Sequence, residues 1–142
     1  MKVFQLLLLA GAILLIAVGT VAYLGVTALD RGMCGTSVTR RVASPNGRLE
    51  AVVFERDCGA TTDFGTGVSL VKTGAGIGDQ GANLFAADGD HGRAPLDSGN
   101  VIRISVHWVG SDSLVLRFDR RARVFQQQPR ALGVRVSYIS SE

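Results

Sequence analysis

An uncharged and mostly apolar run occupies the start of the chain. Residues Val3 to Leu29 form 27 consecutive positions without a charged side chain. At a rise of about 1.5 Å per residue, this run exceeds the roughly 20 residues that a helix needs to cross the hydrocarbon core of a bilayer. The pattern therefore predicts an N-terminal transmembrane helix, a signal anchor within residues 1–31, followed by one domain at residues 32–142.

The same run could be a secretory signal that is removed from the mature protein. Lys2 supplies the basic start of such a signal, and Val26-Thr27-Ala28 supplies small residues for cleavage after Ala28. The apolar core of a cleaved signal is about 7–15 residues long, however, and this run is much longer. Its length favours an uncleaved anchor.

The charges that flank the run give conflicting predictions of its orientation. Lysine and arginine are more frequent on the cytoplasmic side of a span, and Arg31, Arg40 and Arg41 outnumber Lys2. By this rule the domain would be cytoplasmic. The two-residue N-terminal tail, which is typical of a secretion-type signal anchor, and the cysteine pair instead favour a domain on the periplasmic or extracellular side of the inner (cytoplasmic) membrane.

Beyond the apolar run, apolar and polar residues alternate with the period of β-strands. The stretch Val101–Val109 is the clearest example, because every second residue is apolar. The residues of its apolar face are Ile102, Ile104, Val106 and Trp108. A second alternating stretch, Leu114–Phe118, follows the turn residues 110–113. The two stretches predict an antiparallel hairpin.

Five further stretches predict strands: Thr36–Ala43, Arg48–Arg56, Gly67–Lys72, Asn83–Ala87 and Gly133–Ile139. Residues Ala51–Phe54 are apolar on both faces, which is typical of a central strand covered on both sides. The glycine-rich stretch Thr73–Gly81 predicts a mobile loop, and Asp88–Gly99 predicts another loop. No sustained helical period follows Leu29. The sequence therefore predicts an all-β domain, a small antiparallel sandwich or curled meander of six or seven strands.

The charge balance is mild. The chain has 15 lysines and arginines against 12 aspartates and glutamates, a net charge of +3. Its densest basic cluster comprises Arg117, Arg120, Arg121 and Arg123, and Asp119 interrupts it. A nucleic-acid-binding surface needs a more concentrated positive charge. We therefore interpret the cluster as a solvated strand end and predict no nucleic-acid partner.

Cys34 and Cys58 are the only cysteines in the chain. Because Cys34 precedes the first predicted strand and Cys58 follows the second, a hairpin of these strands brings both to one end of the sheet. This predicts a disulfide, which persists in oxidising compartments outside the cytoplasm. The alternative is a nucleophilic Cys58 thiol, which needs a neighbouring base, and the sequence places neither His91 nor His107 beside it.

Several short motifs are spread over the domain between Cys34 and Tyr138. The most specific is Cys58-Gly59-Ala60-Thr61-Thr62; the others are Ser44-Pro45-Asn46-Gly47-Arg48, Phe54-Glu55-Arg56, Asn83-Leu84-Phe85 and Val106-His107-Trp108. In these motifs the chain resembles an uncharacterised family of small bacterial proteins, a domain of unknown function. The resemblance implies a membrane or lipoprotein-like leader before a short β domain, and it implies no activity.

The first candidate site is the loop of residues Gly59, Ala60, Thr61, Thr62 and Asp63. Small residues after a cysteine permit a tight turn, and threonine hydroxyls can satisfy exposed backbone groups there. The functional alternative is a recognition loop that presents hydroxyls and a carboxylate to a ligand, since loops on a rigid scaffold often carry binding. A threonine nucleophile is not supported, because no base is identifiable nearby in the sequence.

The second candidate site comprises Asp88, Asp90 and His91. Alternating aspartates with glycine resemble a calcium loop, but the third acidic position and the distal glutamate are missing. A transition metal would need His107 or another ligand to converge on His91. A solvated turn explains these residues better, so the sequence predicts no metal site.

The chain has no Walker loop, no GxSxG and no HExxH motif, so no cofactor is predicted. The interpretation that remains is a membrane-anchored envelope protein acting as a non-enzymatic binding or interaction module, with another envelope protein as a possible partner. The first alternative is an inhibitor or immunity-type protein. The second is a small metal-dependent hydrolase that uses the loop from Asp88 to His91.

Overall fold

A computed structural model describes residues 2–32, 34–59, 62–78 and 81–142. The chain divides into two compact units, Met1–Met33 and Cys34–Glu142. We describe each unit by itself.

The first unit is the helix α1, Lys2–Gly32. Its stretch Val3–Val26 is the one part of the described chain that forms a helix long and apolar enough to cross a membrane. Within that stretch every described side chain is exposed, including large ones such as Leu15 at 75 %. By length and composition the helix agrees with the predicted membrane helix, and a secretory signal would meet the same criteria.

The second unit is built from strands. Among the described residues these are β1 (Gly35–Ala43), β2 (Leu49–Asp57), β3 (Gly65–Lys72), β4 (Phe85–Asp88), β5 (Leu96–Asp97), β6 (Val101–Ile102), β7 (Ile104–Gly110), β8 (Ser113–Asp119), β9 (Arg123–Gln127), β10 (Arg130–Ala131) and β11 (Val134–Ser141). They form a five-stranded sheet in the order β1-β2-β3-β4-β9, a four-stranded sheet in the order β10-β11-β8-β7 and the ribbon β5-β6. The predicted all-β fold class is confirmed.

The core lies between the two larger sheets and follows the predicted alternation. In β7 and β8, Trp108 pairs with Leu114 and Ile104 pairs with Phe118, and all four are buried. The predicted hairpin is therefore confirmed over Ile104–Phe118, whereas Val101 and Ile102 belong to β6 and pair with β5. From the five-stranded sheet, Phe85 packs its ring 4.9 Å from the ring of Phe118 at an angle of 45°.

The predicted central strand, β2, is buried on both faces at Ala51–Phe54. On the outer face, the ring of Phe54 lies over the backbone of Gly67, where an added Cβ would be 2.3 Å from the ring Cζ. The β3–β4 loop crosses the same face, because Ser69 Oγ donates a hydrogen bond to the Gly81 carbonyl at 3.5 Å. Packing on both sides explains the doubly apolar pattern of this strand.

The connectivity differs from a simple meander. After β8 the chain crosses to the other sheet, where β9 pairs with β4, and β10 then leads it back. As a result β11 returns parallel to β8, with Val136 opposite Leu114. The structure also contains more strands than the predicted six or seven. The strands β5 and β10 are two residues each and too short to show a period, and β9 was not predicted. The strand β6 is the start of the predicted strand Val101–Val109, which a bend at Arg103 separates from β7.

Candidate functional site

The two cysteines form a disulfide, Cys34–Cys58. The β1–β2 register places Gly35 opposite Asp57, so the two cysteines that flank these residues meet at the same end of the hairpin. The predicted pairing is confirmed. Because both sulfurs are in the disulfide, Cys58 has no thiol to act as a nucleophile.

The first candidate loop starts directly after this disulfide. Gly59 has a φ of +102°, and its N–H donates to Asp57 Oδ1 at 2.9 Å. Thr62 Oγ1 donates to the Gly59 carbonyl at 3.0 Å. The hydroxyl of Thr62 therefore stabilises a tight turn, as the backbone-capping interpretation predicts. Ala60 and Thr61 lie outside the residues that the structure describes.

The structure joins the two candidate loops, which the sequence treats as separate sites. The backbone N–H of His91 donates to Asp63 Oδ2 at 2.7 Å, and His91 Nδ1 lies 3.4 Å from the same oxygen. The imidazole is 74 % exposed and the carboxylate is 28 % exposed. His91 has a φ of +56°, a left-handed conformation in which histidine is enriched. Asp63 thus connects the end of the disulfide-linked loop to the turn after β4.

The aspartates of the second loop have partners within the domain. Asp88 is buried, and its Oδ2 accepts a hydrogen bond from Arg123 Nη2 at 2.5 Å. Burial raises the pKa of Asp88, but the hydrogen bonds from Arg123 and from the Asp90 N–H, with the charges of Arg123 and His91, outweigh it and lower the pKa below 3.8. Asp90 pairs with Arg93 at 3.1 Å. The charges of Asp88 and Asp90 are therefore both balanced by arginines of the domain, which agrees with a structural role for this turn.

The described groups around His91 bear on the hydrolase alternative. No group of three or more His, Cys, Asp or Glu side chains within the described residues could hold a metal ion. In nucleophilic catalysis, a histidine next to a carboxylate activates a neighbouring hydroxyl or thiol. Across the described ranges, no hydroxyl hydrogen bonds to His91. The geometry supports an ordered surface turn.

The predicted basic cluster is used mostly in ion pairs. Arg121 binds Asp119 through both carboxylate oxygens, at 2.9 and 2.8 Å, and Arg120 pairs with Glu142. Because Arg123 is paired with Asp88, the cluster presents little free positive charge. The arginines at this strand end are therefore explained by the ion pairs that they form within the domain.

Sequence reasoning missed a cleft at the opposite end of the β1–β2 hairpin from the disulfide. It is open to solvent, with a volume of about 670 Å³. Four turns and three strand ends line it, through Asn46, Arg48, Leu49, Lys72, Thr73, Ser111, Asp112, Leu132, Gly133 and Val134. Its floor continues the hydrophobic core, because Val134 belongs to the core and Leu49 packs against it. The volume is in the range of about 300–1,000 Å³ that is usual for ligand sites.

The charge of the cleft comes from three side chains. Arg48 and Lys72 are exposed, and neither forms an ion pair with any residue that the structure describes. The third, Asp112, lies 3.8 Å from Arg135. The cleft therefore combines an apolar floor with two unpaired cations.

Leu132 forms one wall of the cleft in an unfavourable backbone conformation. Its φ is +48° and that of Gly133 is +80°, so the two-residue turn between β10 and β11 has the positive φ values of a type I′ turn. Such turns favour asparagine, aspartate or glycine, and a left-handed conformation costs other residues about 1–2 kcal/mol. The side chain is also 57 % exposed. The backbone conformation therefore favours a residue other than leucine at this position.

Comparison with known proteins adds no information about this site. The chain matches no protein-family model, no curated protein and no solved structure. The resemblance to the small bacterial family therefore depends on the quoted motifs alone.

Proposed function

We propose that this protein is an envelope protein, anchored in the inner membrane by α1, whose β domain lies outside the cytoplasm and binds a ligand without transforming it. The length and apolar surface of Val3–Val26 support the anchor. The Cys34–Cys58 disulfide supports an oxidising compartment. The proposal includes membership of the small bacterial family that the Cys58–Thr62 motif resembles.

One observation carries the binding role: two unpaired cations, Arg48 and Lys72, stand beside an apolar cleft that continues the core. Recognition sites combine an apolar surface with a few polar groups that orient the ligand. Turns at one end of a β-sandwich are also a common location for binding residues. The loop cluster at the other end has its charges paired, so the cleft is the better site.

The location can be tested with two reporters fused after Glu142. A phosphatase that folds only outside the cytoplasm should be active, and a fluorescent protein that folds only inside should be dark. The reverse result would place the domain in the cytoplasm, as the Arg31, Arg40 and Arg41 charges predict, and would overturn this part of the proposal.

The binding role can be tested without knowing the ligand. We expect native mass spectrometry of the full chain, purified from membranes, to show a bound mass that Arg48→Glu removes. Arg117→Glu is the matched control, since Arg117 is exposed on β8 and has no ion pair among the described residues. Equal occupancy in both variants, or no bound mass in the wild type, would contradict a binding function of the cleft.

A further inference from the structure

The strand register brings the positive charges of the cleft directly beside its apolar floor. Arg48 precedes Leu49 in the chain, and Leu49 pairs with Lys72 across β2 and β3. The Thr73 N–H donates to the Arg48 carbonyl at 3.1 Å, which holds the two cation-bearing segments together. A ligand that carries its negative charge only a few bonds from an apolar group can therefore use both features.

The C-terminal residue of a polypeptide has this arrangement, because its carboxylate and its side chain leave the same Cα. We propose that the cleft binds the C-terminus of a partner protein that ends in a leucine-sized apolar residue. The terminal carboxylate pairs with Arg48 and Lys72, and the last side chain lies on Leu49 and Val134. Capture of a terminal carboxylate is a recurring mode of peptide recognition. This inference rests on the proposed binding function and names its ligand class.

The shape of the cleft suits a chain end. The carboxylate is held on the side of β2 and β3, and the open side lets the preceding residues of the partner leave into solvent. A long-chain amphiphile fits less well, because most of its apolar length would lie far from its charge and outside the floor formed by Leu49 and Val134. Asp112, on the opposite wall, has Arg135 as a partner, so the two cations determine the charge preference.

The turn of Leu132 and Gly133 forms the remaining wall of the cleft. Leu132 is exposed and has a positive φ, and strained residues are concentrated at binding sites, where function offsets their cost. In the complex, the Leu132 side chain covers the apolar residue of the partner. This explains a leucine where an asparagine would suit the backbone better.

Binding is tested with three fluorescein-labelled tripeptides and the full chain in nanodiscs, measured by fluorescence anisotropy against empty nanodiscs. The probes are Gly-Ala-Leu with a free carboxylate, the same peptide as its C-terminal amide, and Gly-Ala-Ser with a free carboxylate. We expect the free acid of Gly-Ala-Leu to bind saturably. Each of the other two should bind at least about tenfold more weakly, as the loss of one charged hydrogen bond or one buried side chain implies.

Protein variants then test the assigned residues. Replacing both cations, with Arg48→Glu and Lys72→Glu, should remove the preference for the acid over the amide, and Arg117→Glu should leave it unchanged. Leu132→Asn should weaken binding of the acid at least about threefold and raise the melting temperature, because asparagine tolerates the left-handed conformation. A merely structural leucine would give the rise in melting temperature without the loss of binding.

Two results would overturn the inference: equal affinity for acid and amide, or no saturable binding of any probe. If the mass-spectrometry experiment still shows an Arg48-dependent ligand in that case, the binding function stands and only the C-terminal ligand class is wrong. If both experiments fail, the binding function fails with it. The two proposals are therefore separately testable.

Discussion

Trp108 Nε1 donates a hydrogen bond to the Val42 carbonyl at 3.0 Å, although the two residues are 66 positions apart. This contact joins β7, an edge of the four-stranded sheet, to β1, an edge of the five-stranded sheet. Arg40 Nη2 makes a second connection between the same strands, to the Ile104 carbonyl at 2.7 Å. Side-chain hydrogen bonds thus tie the two sheets together along one side of the core.

Replacement of Trp108 should destabilise the domain strongly. Its side chain is buried in the core and only 9 % exposed, so Trp108→Ala should lower the free energy of unfolding by about 3–5 kcal/mol, through lost burial and a cavity. Trp108→Phe is the control, because it keeps a ring and removes the N–H donor. That variant should cost less, and chemical denaturation measures both. A near-neutral alanine variant would contradict the core position of this residue.

Gly67 should tolerate no side chain, because its backbone lies under the ring of Phe54. A Cβ added at this position would be 2.3 Å from ring atom Cζ, so Gly67→Ala should cost about 1–3 kcal/mol of stability by overpacking. Gly76→Ala serves as the control, since an added Cβ there meets nothing within 4 Å. Combining Gly67→Ala with Phe54→Leu should recover part of the loss in thermal denaturation. Equal stability of the two alanine variants would argue against this packing.

The disulfide should contribute about 3 kcal/mol of stability by restricting the unfolded chain. Replacing both Cys34 and Cys58 by serine should lower the free energy of unfolding by that amount, and reduction of the wild type should have the same effect. Non-reducing mass spectrometry of the exported protein should give a mass two hydrogens lighter than the dithiol. Two free thiols in the exported protein would remove the argument from the cysteines to an oxidising compartment.

Asp119 should make stability depend on acid pH. Hydrogen bonds from the Arg121 side chain and backbone lower the pKa of this carboxyl from 3.8 to about 2, and they outweigh its burial, which raises the pKa. Because the pKa is lower in the folded state, the stabilisation is fully present above about pH 4 and is lost as the pH falls toward 2.

The test variant is Asp119→Asn. Its matched control is Asp97→Asn, because the Asp97 side chain is half-exposed. At pH 7, Asp119→Asn should lower the free energy of unfolding by about 2 kcal/mol, as expected for hydrogen bonds to a charged group. Its difference from the wild type should shrink as the pH falls below 4. Asp97→Asn should have a small effect throughout this range, and a constant difference for Asp119→Asn would exclude the titration of this group.

Several predictions from sequence depend only on local burial, and these agree with the structure. The alternation over residues 101–118 identified the β7–β8 hairpin, because every second residue of a half-buried strand must be apolar. The apolar run Ala51–Phe54 indicated a strand covered on both faces for the same reason. The strand β9 gave no such signal, since its two large apolar residues, Val124 and Phe125, are both exposed.

The candidate site shows the limit of this reasoning. The motif residues after Cys58 and the Asp88–His91 loop were found as separate features, and only the fold brings Asp63 to His91. No motif marks the cleft, because its residues come from turns far apart in the chain. The one local feature that points to the cleft is Leu132, which precedes Gly133 in a turn where asparagine is usual.

The sequence by itself determined the apolar helix, the all-β character of the domain and the disulfide, because run length, period and a single cysteine pair are local or unambiguous properties. Tertiary structure alone decided which strands pair, including β8 with β11 in parallel, and where the unpaired cations meet an apolar surface. Alternation predicts that a residue is buried but does not identify the strand that pairs with it, since many registers would bury the same face. Contacts between segments distant in the chain select the pairing that is observed.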